Sequence, residues 1–181
     1  MRIISGIARG RRLKEPTSPN IRPTSDRNKE SVFNIIQFDI EGRRVLDLFA
    51  GSGQYGIECL SRGAGSVVFV DNAAEAVKLI KENLNISGLS DRASVYGRDA
   101  LKFLEEDEKY DLIFIDPPYD SKLADKAIRK ITQFDKLNIN GIMICELKAD
   151  VQSPAVTLPY SLKKEYKYGS IKILRYTRES L

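Results

Sequence analysis

Five apolar runs alternate with helical stretches from Arg43 onward, and this constrains the fold more than any other feature. The runs are VLDLF (45–49), VVFV (67–70), ASVY (93–96), DLIFI (111–115) and GIMICEL (141–147). Between them lie QYGIECLSR, NAAEAVKLIKENLNI, DALKFLEED and SKLADKAIRKITQF, whose apolar residues recur at helical spacing. Strands that are apolar on both faces and separated by helices pair in parallel and are covered on both sides. The C-terminus changes character: KKEYKYG and SIKILRYT flank Gly169 and predict an antiparallel hairpin that closes the sheet.

Upstream, MRIISGIARGRRLKE reads as a small β-hairpin around Gly6 and Gly10, and PTSPNIRPTSD as an extended connector. A helix follows, with Val32, Phe33, Ile35 and Ile36 on its apolar face and the cations Arg27 and Lys29 in its first turn. Those cations oppose the helix dipole, a cost that a ligand phosphate would relieve. Residues 1–30 hold eight Lys/Arg against three acids, a net of +5, which exceeds the +4 of the whole chain. A basic segment on a near-neutral body argues for a polyanion partner, against the plainer reading of a solvated tail. The expected organisation is a basic extension over 1–24, for polyanion contact, and a catalytic domain over 25–181.

Composition removes several chemistries. With no histidine, the Ser-His-Asp and Cys-His arrangements and imidazole zinc sites are excluded. The two cysteines, Cys59 and Cys145, sit in apolar contexts without metal or disulfide spacing and are expected buried and reduced. No apolar run is long enough to cross a bilayer, and MRIISGIARGRR lacks the core of a signal peptide. The expectation is a cytoplasmic, monomeric protein without metal or membrane partner.

In an open α/β sheet, ligands bind at the carboxyl ends of the strands where strand order reverses. DLFAGSGQYGIE (47–58) places Gly51, Gly53 and Gly56 as a G-x-G-x-x-G between strand and helix. Alone it serves a dinucleotide pyrophosphate or merely a tight turn. Asp71, ending the second run, suits the ribose hydroxyls of an adenosine cofactor, with Asn72 beside it. Asp99, with Ala100 after the third run, suits the adenine amine or a helix cap. Asp47 separates the cofactors. It lies inside the first strand, where an acid is costly unless it meets a cation. The ammonium of S-adenosylmethionine, bound through the loop and Asp47, meets that need better than a nicotinamide cofactor. Phe49 and Ala50 complete the expected pocket.

The fourth run ends on Asp116-Pro117-Pro118-Tyr119. The prolines restrict the turn and lack N–H groups, so it offers acceptors without competing donors. The Asp116 carboxylate and the Pro117 carbonyl suit an –NH2 group, and Tyr119 a face for a base to stack on. Two such acceptors favour a pyramidal amine nitrogen as a methyl arrives. The structural alternative is a Pro-Pro turn whose acid caps the next helix.

These segments resemble the amino-group branch of the Rossmann-like S-adenosylmethionine methyltransferases. RIISGIARGRRL, RPTSDRNKESVFNII, LDLFAGSGQYGIECLSRGA and the late YGS resemble the bacterial RsmD family. The resemblance implies a seven-stranded sheet, S-adenosylmethionine at Asp47, Gly51, Gly53, Asp71 and Asp99, and catalysis at Asp116 through Tyr119. It further implies methylation of guanine N2 in 16S ribosomal RNA, presented by a small ribosomal subunit or its assembly intermediate. Phosphate contacts then fall to Arg9, Arg11, Arg12, Lys14, Arg22 and Arg27. The sequence departs from the family pattern at Gln54-Tyr55, on the expected pocket wall, and at Asn28-Lys29, on the expected RNA face. The rival readings are a DNA adenine-N6 methyltransferase, a nicotinamide-dependent oxidoreductase and an inactive RNA-binding assembly factor.

Overall fold

The computed structural model describes residues 1–17, 26–118 and 121–180. Seven strands form one sheet in the order β3-β2-β1-β4-β5-β7-β6. They are β1 Arg44–Asp47, β2 Ser66–Asp71, β3 Ala93–Gly97, β4 Tyr110–Ile115, β5 Leu137–Lys148, β6 Tyr160–Tyr168 and β7 Ile171–Arg178. The first five run parallel, and β7 pairs antiparallel with both β5 and β6. The helices are α1 Asp26–Ile35, α2 Gln54–Ser61, α3 Ala74–Ser87, α4 Ala100–Phe103 and α5 Ser121–Gln133.

The two-sided strands divide the core. Val45, Phe69, Phe114 and Ile144 face one way and pack with α1, α2 and α3. Leu46, Val68, Ile113 and Met143 face the other and pack with α4 and α5. The chain therefore winds outward from β1 under one helical layer and returns beyond β1 under the other. Right-handed crossovers require that change of face when the winding direction reverses. The reversal lies between β1 and β4, and it sets the carboxyl ends of these strands side by side.

The N-terminal segment folds back through a single antiparallel bridge, Arg2 with Arg12, instead of two regular strands. It is stitched to the body: Ile3, Ala8 and Leu13 are buried in the α1–α3 core. Glu58 of α2, 1% exposed, accepts the Ile4 and Ser5 N–H groups at 2.8 and 2.9 Å. The Ile7 N–H donates to the Ser61 carbonyl and the Ala8 N–H to the Ser61 hydroxyl.

Two elements differ from their sequence patterns. DALKFLEED yields only the one turn of α4, after which Glu105 and Glu106 close i→i−3 bonds to Lys102 and Phe103. Three consecutive acids at a helix C-terminus oppose its dipole, and the chain leaves the helix there. β5 begins earlier than GIMICEL, at Leu137, because a register shift opposite Tyr110 and Leu112 absorbs the left-handed Asn140. Cys59 and Cys145 are buried free thiols, as expected.

Candidate active site

The glycine loop leaves β1 beneath β2 and turns into α2. The Ala50 N–H donates to the Val70 carbonyl at 3.0 Å, and the Gly51 N–H to Asp71 Oδ2 at 2.9 Å. Gly51 and Gly53 take φ values of 52° and 78°, the left-handed region that glycine enters without penalty. Gly56 serves another purpose: a Cβ there would lie 2.2 Å from the Phe69 ring. Its bare backbone lets α2 sit directly on β2.

Asp47 is 2% exposed, and its Oδ2 accepts the Gly56 N–H at 3.0 Å. Burial pushes its carboxyl up to about 7; the Gly56 bond opposes that and the neighbouring Asp71 charge adds to it. An acid whose charged form is disfavoured by desolvation and a second acid is one that a cation stabilises. Asp71 also accepts the Ala73 N–H through Oδ1 at 2.9 Å, so it braces both the glycine loop and the start of α3. A carboxylate has about four acceptor positions, so two remain for hydroxyl donors. Asn72 beside it is exposed. Asp99 accepts the Lys102 N–H at 2.9 Å and caps α4, with Ala100 buried behind it. Phe49, half-buried, packs on the α4–α5 side of the core. The residues expected around a cofactor thus line the ends of β1, β2 and β3.

Asp116 follows β4 directly, half-buried, ahead of buried Pro117 and exposed Pro118. β1 and β4 are in register to Asp47 with Phe114, and the Leu48 N–H donates to the Phe114 carbonyl at 3.2 Å. Asp116 therefore emerges beside the glycine loop. Tyr119 and Arg22 lie outside the described residues, as does the side chain of Arg27. Arg9, Arg11, Arg12 and Lys14 are exposed along the N-terminal segment. Arg11 donates to the carbonyls of Ile86 and Ser87 at the end of α3, and Lys14 pairs with Glu82 at 2.6 Å. Asn83 ties this segment to the loop: it accepts the Lys14 N–H and donates to the Ser52 carbonyl.

Lys29 corrects one expectation. It is fully buried, not on an RNA face: its ammonium donates to the Arg2 carbonyl and stands 3.6 Å from Glu58. Glu58, not a ligand phosphate, compensates this charge. Sequence reasoning also passed over Glu58 and Glu146, and it named Tyr55 only as a departure on the pocket wall. Glu58 and Glu146 each interrupt an apolar run, the same signal that singled out Asp47. Tyr55 stacks on Phe114, ring centroids 5.0 Å apart and planes 7° from parallel. Among the described residues no group of three or more His, Cys, Asp or Glu could hold a metal ion, and no helix is long and apolar enough to cross a membrane.

A parallel sheet that reverses between β1 and β4, closed by an antiparallel hairpin and carrying a glycine loop beside an Asp-Pro-Pro turn, is that of a Rossmann-like methyltransferase. The solved structure of yhhF from Escherichia coli shares it with a TM-score of 0.90 and 30% identity, over 100% of this chain and 99% of that one. HI0767 from Haemophilus influenzae follows at 0.80 and 33%, over 99% and 98%. The family model described as "Conserved hypothetical protein 95" matches residues 1–177. The Bacillus subtilis protein YlbH is 36% identical over 182 residues, 98% of this chain and 99% of that protein. The Haemophilus influenzae protein named ribosomal RNA small subunit methyltransferase D is 35% identical over 181 residues, 97% of this chain and 93% of that protein. The chain belongs to this family, the RsmD family.

Proposed function

We propose that the protein transfers a methyl group from S-adenosylmethionine to the exocyclic N2 amine of a guanine in 16S ribosomal RNA, within the small ribosomal subunit or an assembly intermediate. The observation that carries this reading is the juxtaposition of the Asp47 glycine loop and the Asp116 turn at the strand-order reversal. The full-length likeness to a small-subunit methyltransferase supports the choice of RNA over DNA.

The donor set fits the cofactor. Asp47 offers a buried carboxylate that an ammonium would hold ionised, Gly51 and Gly53 offer bare backbone, and Asp71 retains acceptor capacity for hydroxyls. Bound S-adenosylmethionine supplies an electrophilic methyl on a cationic sulfur. Asp116 and the Pro117 carbonyl orient the amine, and the proton lost as nitrogen takes up the methyl passes to Asp116 or to water. No imidazole is needed.

Asp47 gives a pH signature. Its folded value of about 7 lies above the ordinary 3.8, so the folded state holds the extra proton between them. The contribution of Asp47 to stability without ligand therefore falls as pH rises from about 4 to about 7, then levels. Asp47→Asn keeps an acceptor for the Gly56 N–H and cannot ionise. Its melting temperature without ligand should match the parent near pH 4 and exceed it at pH 8, while cofactor affinity drops about 10-fold or more. Parallel pH profiles for the two proteins would remove the burial argument.

Arg9, Arg12 and Arg22 are proposed to meet phosphates. Neutralising all three should weaken RNA binding and reduce the slope of log K against log salt by about 2, at ~0.7–0.9 per contact. An unchanged slope assigns the contacts elsewhere.

The function is tested by incubating the protein with S-adenosylmethionine and, separately, methylation-deficient small subunits, free 16S RNA and duplex DNA, then identifying methylated nucleosides by mass spectrometry. N2-methylguanosine from the subunits is expected. N6-methyladenine from DNA would keep the chemistry and overturn the partner. Protection against thermal unfolding by a nicotinamide cofactor alone would overturn both.

A further inference from the structure

Glu146 is the only acid of β5, and the roles assigned above leave it unused. The last registered pair of β4 and β5 is Ile115 with Cys145, so Asp116 and Glu146 leave adjacent strands side by side. Alternation from Phe114 and Ile144, both in the α1–α3 core, puts both acids on that same face. Burial chiefly raises the Cys145 thiol, and the charges of Asp116 and Glu146 both add to it. Glu146 is also held from the helical side. The Tyr55 hydroxyl lies 3.5 Å from its Oε2, and the Tyr55 ring is fixed by its stack on Phe114.

We propose that Glu146 is the residue that selects the base, accepting the N1–H of a guanine whose N2 amine is held by Asp116. The inference rests on the guanine-N2 reading above and deepens it. On a Watson–Crick edge, guanine is the one amine-bearing base with an N–H next to its amine. Adenine presents a lone pair at N1, and cytosine one at N3. An ionised carboxylate accepts only, so beside the amine site it welcomes guanine and repels the other two. Two neighbouring carboxylates repel each other, and a base edge with consecutive donors relieves that repulsion in the bound state. Tyr55 is then a positioning residue, which gives a role to one departure from the family pattern.

The test uses small subunits reconstituted with either guanosine or 2-aminopurine at the methylated nucleotide. 2-Aminopurine keeps the amine at C2 and carries a lone pair at N1. The parent protein should favour guanosine in kcat/KM by about 100-fold or more, the range expected when a buried acceptor loses its donor. Glu146→Gln presents an amide that can donate to that lone pair, so the preference should narrow at least about 10-fold. A merely structural role would slow both substrates alike and leave the ratio unmoved, and an unmoved ratio overturns the inference. Should Glu146→Gln fail to fold, Tyr55→Phe keeps the ring stack and removes the hydroxyl. The ratio should then narrow about 3-fold, and constancy there counts equally against the assignment. If the parent makes no N2-methylguanosine from the guanosine subunits, the functional reading has failed instead.

Discussion

Asp116→Ala is expected to fold, to bind S-adenosylmethionine with nearly parental affinity, and to lose about 10³-fold in turnover at saturating substrates. The separation follows from where the residues stand. The cofactor set lies on β1, β2 and β3, with Asp47 bonded to Gly56 and Asp71 to Gly51 and Ala73. Asp116 stands across the reversal, just after β4, and takes no part in those bonds. Its carboxylate matters most when the amine nitrogen localises its lone pair and becomes cationic, and interactions strongest in the transition state appear in kcat more than in binding. Asp116→Asn keeps an acceptor but removes the charge and the proton sink, so an intermediate loss is expected. Calorimetric cofactor affinity and single-turnover methylation of subunits measure the two quantities separately. If cofactor affinity collapses while turnover at saturation stays parental, Asp116 belongs to the cofactor pocket and not to the chemistry.

The central strands were legible because β1, β2 and β4 are apolar on both faces, the pattern of a covered parallel sheet, whereas β3 at the edge is largely exposed. With that topology, Asp71, Asp99 and Asp116 follow as residues at strand ends, and the structure places them there, while Asp47, read as inside the first strand, is its last residue. Where local and tertiary forces compete, sequence is less decisive. The apolar periodicity of α4 runs past Phe103, but the acids after it end the helix. Asp99 suited either a base or a helix cap from its position, and its side chain caps. Lys29 reads as a surface cation because its counter-charge lies in another helix, and local periodicity carries no information about Glu58. Glu146 was equally visible as an acid in an apolar strand. Its significance needed the β4–β5 register, which no single strand encodes.

Glu58→Ala should be the most destabilising single substitution in the N-terminal half, by about 3–5 kcal/mol, with a fall in melting temperature on the order of 10 °C. Glu58 accepts the Ile4 and Ser5 N–H groups and the Arg62 guanidinium, and lies 3.6 Å from the buried Lys29 ammonium. Alanine would strand two backbone donors and take the Glu58 carboxylate away from the buried Lys29 ammonium. Glu58→Gln can still accept one N–H but does nothing for Lys29, so most of the loss should remain. Replacing Glu58 and Lys29 together by methionine should cost less than Glu58→Ala, because no charge is then left buried alone. Amide exchange supplies the local readout: Ile4 and Ser5 should lose protection in Glu58→Ala well before the amides of β7. A denaturation midpoint and Ile4 protection equal to the parent's would show that the segment is held by Ile3, Ala8 and Leu13 alone. The anchor also bears on function. Arg9 and Arg12 sit on the loop that Glu58 holds, while Asp47 and the glycine loop lie at the opposite end of α2. At temperatures where the variant remains folded, loosening the segment should weaken RNA binding more than cofactor binding, which places Glu58 between the body that carries the chemistry and the basic arm proposed to bring it substrate.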